Sequence, residues 1–261
     1  MTAFIGLLKK DWILGRKNLA FAGILQLLVV FIAYLFSEYF NEPWLLLISG
    51  ILIIIFHIAN YSLQLLLFLN MEGKTQLWLY NPNSSWVLLG AKLTISLIFN
   101  TVSVFIACCI AYIDLHFLPE LFDYSAIKNR PGIGDLLLMG ASVTVVGIFL
   151  GVFVMFLWVI YHSLKQVRFI KSFRGFTVFL LAVVLGAAWD LVISTTFMTK
   201  LGEIAVLKFG IVSAFELSAT NGMEFKAVHN EVSLLMACLQ ILVIGVLFWL
   251  SAWLLDRKVE V

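Results

Sequence analysis

His57, Asn60, Tyr61 and Gln64 stand at i, i+3, i+4 and i+7 in an otherwise apolar run, so on a helix they share one face. Ser96, Asn100 and Ser103 make a second stripe of the same kind in the next apolar run. Two such stripes have two uses. They can hydrogen-bond to each other, at about 0.6 kcal/mol per bond inside a membrane. Alternatively, they can line a polar path along which His57, Asn60, Gln64, Ser96 and Asn100 meet a substrate. Asp190, in AAWDLVIST, is the lone charge of its own apolar run. An intramembrane carboxylate is a functional candidate, unless it sits at the outer end of its span and reaches water. His57 with Asp190 would make the relay pair of a proton-coupled secondary transporter. The chain has no HExxH, no GxSxG and no GxxxxGK[ST] phosphate loop. No catalytic or metal-binding residue is therefore assigned, and the chain is read as a non-enzyme that binds no cofactor itself. Energy for any transport work must come from a partner chain or an ion gradient.

The elements that must position these residues are membrane helices. Of 261 residues, 62% are hydrophobic and only 12% charged, against about 25% charged in a soluble domain. Six apolar stretches are long enough to span, at about 20 residues per bilayer core: Leu19–Phe36, Trp44–Asn70, Leu88–Ile113, Ile133–Leu164, Gly175–Met198 and Glu231–Leu255. The expected fold is an all-α integral membrane protein, a single domain over 1–261. The first run is too long for a removable signal peptide. Ahead of it, residues 1–18 place Phe4, Ile5, Leu8 and Trp12 near helical spacing, with Lys9, Lys10, Arg16 and Lys17 mostly elsewhere. That pattern predicts a separate amphipathic helix lying in the membrane interface. Gly147 and Gly151, with Gly140 a heptad earlier, give a small-residue face that serves either packing within the chain or a dimer contact. Cys108, Cys109 and Cys238 all fall in apolar runs and read as small hydrophobes.

Six spans put both termini on one side. Lys and Arg fix which side. Twelve of the 17 lie at the N terminus, around 74–92, in Lys165–Arg174 and in the C-terminal tail; Lys128, Arg130, Lys200, Lys208 and Lys226 lie opposite. Both termini are thus expected in the cytoplasm, with 114–132 and 199–230 as extracellular loops. The second of these contains IAVLKFGIVSAFEL, read as a re-entrant or interface-lying helix pair or an external helix.

Between the second and third spans lies MEGKTQLWLYNPNSSWVLLGAKL, Met71 to Leu93. It is charged, carries a turn-like NPNSS, and on this topology is cytoplasmic. Leu77, Trp78 and Leu79 offer an apolar anchor of the kind enriched at protein interfaces; Tyr80 flanks it. Pro82 breaks a helix, and Ser84 or Ser85 can cap the next.

These residues resemble the membrane subunits of type-2 ABC exporters, whose corresponding loop reads roughly E-x-x-G-T, an apolar pair, P-x-S, and an apolar run ending G-K-L. Glu72, Gly73 and Thr75 match the start, Leu77 to Leu79 the apolar part, Pro82 and Ser84 the turn, and Leu88, Leu89, Gly90, Lys92 and Leu93 the end. Gly73 follows Glu72 directly, and Ala91 is inserted before Lys92. The compact loops look most like permeases of phenol-soluble modulin and antimicrobial peptide exporters. The resemblance implies a multi-pass permease of the bacterial cytoplasmic membrane, paired with a second permease copy, identical or paralogous, and surrounded by lipid. It also implies a coupling helix within 71–87, through Glu72, Leu77, Trp78, Leu79, Tyr80 and Pro82, that docks on a separate ABC ATPase. ATP and Mg would be bound by that ATPase. Residues 1–18 would be the family's connecting helix and Lys165–Arg174 a second cytoplasmic contact. Amphipathic or hydrophobic substrates such as peptides are implied; nothing points to nucleic acid.

Overall fold

A computed structural model describes residues 2–40, 44–75, 83–121, 132–166, 172–202, 204, 206–218 and 222–258. Its helices are α1 (Thr2–Phe40), α2 (Trp44–Thr75), α3 (Ser85–Leu121), α4 (Ile133–Ser163), α5 (Arg174–Ile193), the short α6 (Thr196–Gly202) and α7 (Leu234–Lys258). All except α6 are long and apolar enough to cross a membrane. The core is α2, α3 and α4 packed together, with α7 against α4 and α3, and α1 along α2 and α3. Helix α5 leans chiefly on α4, through Phe149 against Trp189 (ring centroids 5.5 Å apart) and Arg174 over the Tyr161 ring. None of its residues is buried.

Two apolar clusters hold the centre. Tyr61, Leu65 and Leu69 of α2 meet Leu89 of α3, Val152, Met155 and Val159 of α4, and Ala252 and Leu255 of α7. Towards the other end of the bundle, Ile53 and Ile54 meet Val104, Ala107 and Cys108, with Leu136 and Val143 of α4. The glycine face of α4 turns inward, on α2 and α3. A Cβ on Gly151 would overlap the Tyr61 ring, and one on Gly147 would lie 3.3 Å from Tyr61 Cβ; at Gly140 it would lie 2.7 Å from Val104 Cγ1. Of the two uses open to that face, packing within the chain is the one realised. Gly151→Val should therefore cost about 1–3 kcal/mol of stability by overpacking. Gly23→Ala, where a Cβ meets nothing within 4 Å, should cost none. Thermal unfolding of the detergent-purified variants measures both, and equal midpoints would contradict this packing.

Three expectations need correction. Residues 1–18 are not a separate interfacial helix but the first turns of α1, which runs unbroken for 39 residues. At 1.5 Å per residue that is about 58 Å, well beyond a bilayer core. Leu7 is buried with Leu88 and Ala91 of α3, so the segment packs on protein. Second, α3 continues past Ile113 to Leu121, so 114–121 is helix rather than loop. Third, the segment read as a helix pair is an antiparallel ribbon of β1 (Val206–Ser218) and β2 (Gly222–Ser233). Its register sets Lys208 opposite Glu231 and Phe215 opposite Phe225, with an irregularity between Val212 and Ala214. Such a ribbon leaves unpaired backbone groups along both outer edges, which lipid cannot satisfy. It therefore lies outside the hydrocarbon, and the re-entrant reading is withdrawn. The chain passes from the ribbon into α7 through Ser233, whose hydroxyl accepts from Met236 N at 3.4 Å as an N-cap.

Candidate functional site

Two polar constellations stand out in this apolar frame. The first lies halfway along α1, α2 and α3. His57 Nδ1 is 2.7 Å from the Ile53 carbonyl. A carbonyl only accepts, so Nδ1 carries the proton and Nε2 is left as an acceptor. Around Nε2 stand Ser103 Oγ at 2.9 Å and the Gln26 amide nitrogen at 3.2 Å. The same Gln26 nitrogen donates to Ser103 Oγ at 2.7 Å. One turn along, Asn60 Nδ2 donates to Asn100 Oδ1 at 3.4 Å, and Tyr61 Oη to the Leu93 carbonyl at 3.3 Å.

The stripes of α2 and α3 thus face each other across one interface. His57, Gln64, Ser96 and Asn100 are all buried. Gln26 is the member that stripe-reading missed. It was visible as the one amide in Leu19–Phe36, but its partners sit 31 and 77 positions away. The structure does not bring His57 and Asp190 together. Asp190 is exposed, three residues before the end of α5, while the ring of His57 is engaged by Ile53, Gln26 and Ser103.

The second constellation joins α1, α2 and α3 where the N terminus lies. Lys92 Nζ is 2.9 Å from Glu72 Oε1 and 3.4 Å from Asp11 Oδ2. Lys10 also pairs with Glu72 and lies 3.7 Å from Asp11 Oδ1. Two cations and two anions make a neutral quartet, and Asp11 and Lys92 within it are 1% and 3% exposed. Buried charge at this density persists only when paired. Beside it, Trp12 and Phe68 pack at tilted angles against Phe99, with the Trp12 and Phe99 centroids 5.1 Å apart. Gly15 leaves room for this: a Cβ there would overlap both phenyl rings. Glu72, expected as an ATPase contact, is turned inward into the quartet.

Two further ties hold the same end. Trp158 Nε1 of α4 donates to Asn70 Oδ1 of α2 at 2.8 Å. Ser85, the first residue of α3, donates from its hydroxyl and its backbone N–H to Asp256 Oδ1 of α7. Ser84 supplies the first backbone acceptor of α3, to Leu88 N at 3.2 Å, and the Asp256 carboxylate complements the positive end of that helix. The last turns of α2 and the first of α3 are thereby fastened to α1, α4 and α7. Leu77, Trp78, Leu79, Tyr80 and Pro82 lie outside the described residues, as do 167–171 of the basic loop. Among the described residues, no group of three or more His, Cys, Asp or Glu could hold a metal ion.

These features define a helical, multi-pass membrane protein with a polar interface at mid-depth and a charged clamp at the end holding both termini. A Bacillus subtilis (strain 168) protein described as "Uncharacterized protein YhcE" is 27% identical over 274 residues, an alignment covering all of both chains. No family model matches the chain. No solved structure matches it either.

Proposed function

We propose that the chain is the membrane subunit of an ATP-binding-cassette exporter, driven by a separate ATPase and moving amphipathic or hydrophobic substrates such as peptides across a bacterial cytoplasmic membrane. The observation that carries this reading is the pairing of Glu72 with Lys92 at 2.9 Å. These are the charged residues that open and close the loop resembling the exporter coupling element. Their contact closes the loop at its root, so that whatever grips its tip acts on α2 and α3 as one body. The ties to α1, α4 and α7 extend that body to most of the bundle. A coupling element needs this rigidity, since an interaction made at a floppy loop would be absorbed there. The lack of a phosphate loop agrees with an energy source on a partner chain. The proton-coupled alternative is less well supported, because its two residues have different neighbours.

The test is to purify the tagged chain from its native membranes and assay the eluate for ATP hydrolysis. An ATPase chain should co-elute, and vesicles carrying the pair should transport only with ATP. Transport that proceeds without ATP and collapses with the proton gradient would replace this reading by the secondary transporter.

A further inference from the structure

At the end of the bundle away from the clamp, Asp114 of α3 is buried, with 5% of its surface exposed. It lies against α2, which comes close because Gly50 stands there. A Cβ on Gly50 would lie 3.2 Å from Ala111 Cα and 3.4 Å from Asp114 Oδ2. That oxygen is buried with no hydrogen-bond partner, and among the described residues Asp114 belongs to no ion pair. We infer that Asp114 is a proton-operated catch: while its carboxyl is neutral, α2 and α3 stay closed over it, and once the proton passes to water the two helices part at this end.

A carboxylate without counter-ion or hydrogen bond is far costlier to bury than the neutral acid. The closed interface therefore holds the acid form. The surrounding helices offer no other remedy. At this end α1 brings Glu38 and Tyr39, both exposed. From α4 comes Asp135, which accepts from the Gly132 N–H at the start of its own helix. On α3 itself stand Tyr112 and Cys108, whose thiol donates to the Leu136 carbonyl. Between Trp44 and Phe56, α2 has no ionisable residue, and the charges of α7, Asp256 to Lys258, lie at the clamp end. No cation is among these groups, and Glu38 and Asp135 oppose a further negative charge. Depth suits exchange with water. Asp114 stands 22 residues along α3 from Lys92, about 33 Å, which exceeds a hydrocarbon core of about 30 Å. Ser37, near the same end on α1, is also fully buried with an unpartnered hydroxyl, so water entering here would satisfy both groups. The sign follows from where the proton sits. With the helices parted, the carboxyl is solvated and ionises near the ordinary Asp value, about pH 4. Below that, both states carry the proton. Above it, closing must take a proton up, so the ratio of parted to closed chains rises by up to about tenfold per pH unit. Acid closes this end and alkali opens it. The inference stands on this interface and does not depend on the export reading.

The test uses the full chain in lipid nanodiscs, with water on both sides, titrated from about pH 5 to about pH 9. Spin labels are placed at Leu52 of α2 and Ile113 of α3, both exposed, after Cys108, Cys109 and Cys238 are replaced by Ser. With Asp114 intact, the label separation should be short in acid, and a longer separation should grow in with the slope of a single proton. Asp114→Asn, a neutral side chain of the same shape, should keep the short separation throughout. Gly50→Val, which props α2 off Ala111, should show the longer one throughout and proves that the labels report parting. A second readout needs no labels. The infrared difference between the unaltered chain and Asp114→Asn at acid pH should contain the carbonyl stretch of a protonated carboxyl, and that band should fade in step with the parting. Each variant is checked for a monodisperse elution profile, and if the labelled chain fails this check, the infrared band of the unlabelled chain decides. A label separation independent of pH with Asp114 intact would overturn the inference. So would a pH response that survives Asp114→Asn, or a closed chain without the protonated-carboxyl band.

Discussion

Lys92→Met should cost about 3–5 kcal/mol of stability, the usual penalty for removing one partner from a buried ion pair. The quartet explains why so much rests on one amine. Lys92 is the buried cation, at 2.9 Å from Glu72 and 3.4 Å from Asp11. Without it, two buried carboxylates share Lys10, whose side chain is 37% exposed. Lys10→Met should cost far less, about 1 kcal/mol, because Lys10 stands partly in water and Lys92 remains. The double variant Lys92→Met with Glu72→Gln should recover most of the loss, since one charge of each sign leaves together. Thermal unfolding in detergent reads all three. Equal costs for the two lysines, or a double variant no better than Lys92→Met, would mean that the quartet is not a buried, mutually dependent unit.

How far this was legible in advance varies by element, for physical reasons. The spans were visible because a bilayer demands long apolar runs and tolerates few charges. The stripes of α2 and α3 were visible because 3.6 residues per turn puts His57, Asn60 and Gln64 on one face. Span ends were not, because lipid does not enforce them. Nothing between Thr2 and Ser37 breaks a helix strongly, and packing against α3 decides that α1 starts early. Gly15 weakens that helix locally but is used for close approach of Phe68 and Phe99. The ribbon was misread as helix because VLKFGIVSAFEL is apolar without clean periodicity, and such a run is ambiguous between strand and helix. Its Val, Ile and Phe content was the available signal.

The quartet illustrates a different limit. Asp11 and Lys92 are 81 positions apart, and no local pattern joins them. Topology alone narrows the search: once the spans are ordered, Lys10, Asp11, Glu72 and Lys92 all fall at one end. Asp11 is the only acid before Glu38, and a single acid in a basic segment is a cue for a specific partner. The same reasoning applied to Gln26, the one amide in its run, would have pointed to the stripes on α2 and α3. What sequence cannot supply is which face of α1 those helices receive.

If the chain is the membrane subunit of an ATPase-driven exporter, as proposed, Trp78→Ala should weaken binding of that ATPase by about 30-fold or more, the effect expected of an aromatic hot spot worth at least 2 kcal/mol. On that reading the variant should leave the unfolding midpoint of the isolated chain unchanged, since an aromatic that anchors a partner is not needed to hold the free chain together. Titrating the partner ATPase onto the chain in nanodiscs measures the first, and thermal unfolding the second. A Trp78→Cys variant adds a geometric readout: it should crosslink to the ATPase and resist a membrane-impermeant thiol reagent once the complex forms. Free labelling in the assembled complex would rule out docking at this position. Docking and transmission are separable through the clamp. The Lys92→Met, Glu72→Gln double variant loosens the root of the loop and leaves its tip intact. It should bind the ATPase with unchanged affinity yet transport several-fold less per ATP hydrolysed. Coupled transport at the unaltered ratio in that variant would mean that force reaches the bundle by another route, and that the clamp serves stability only.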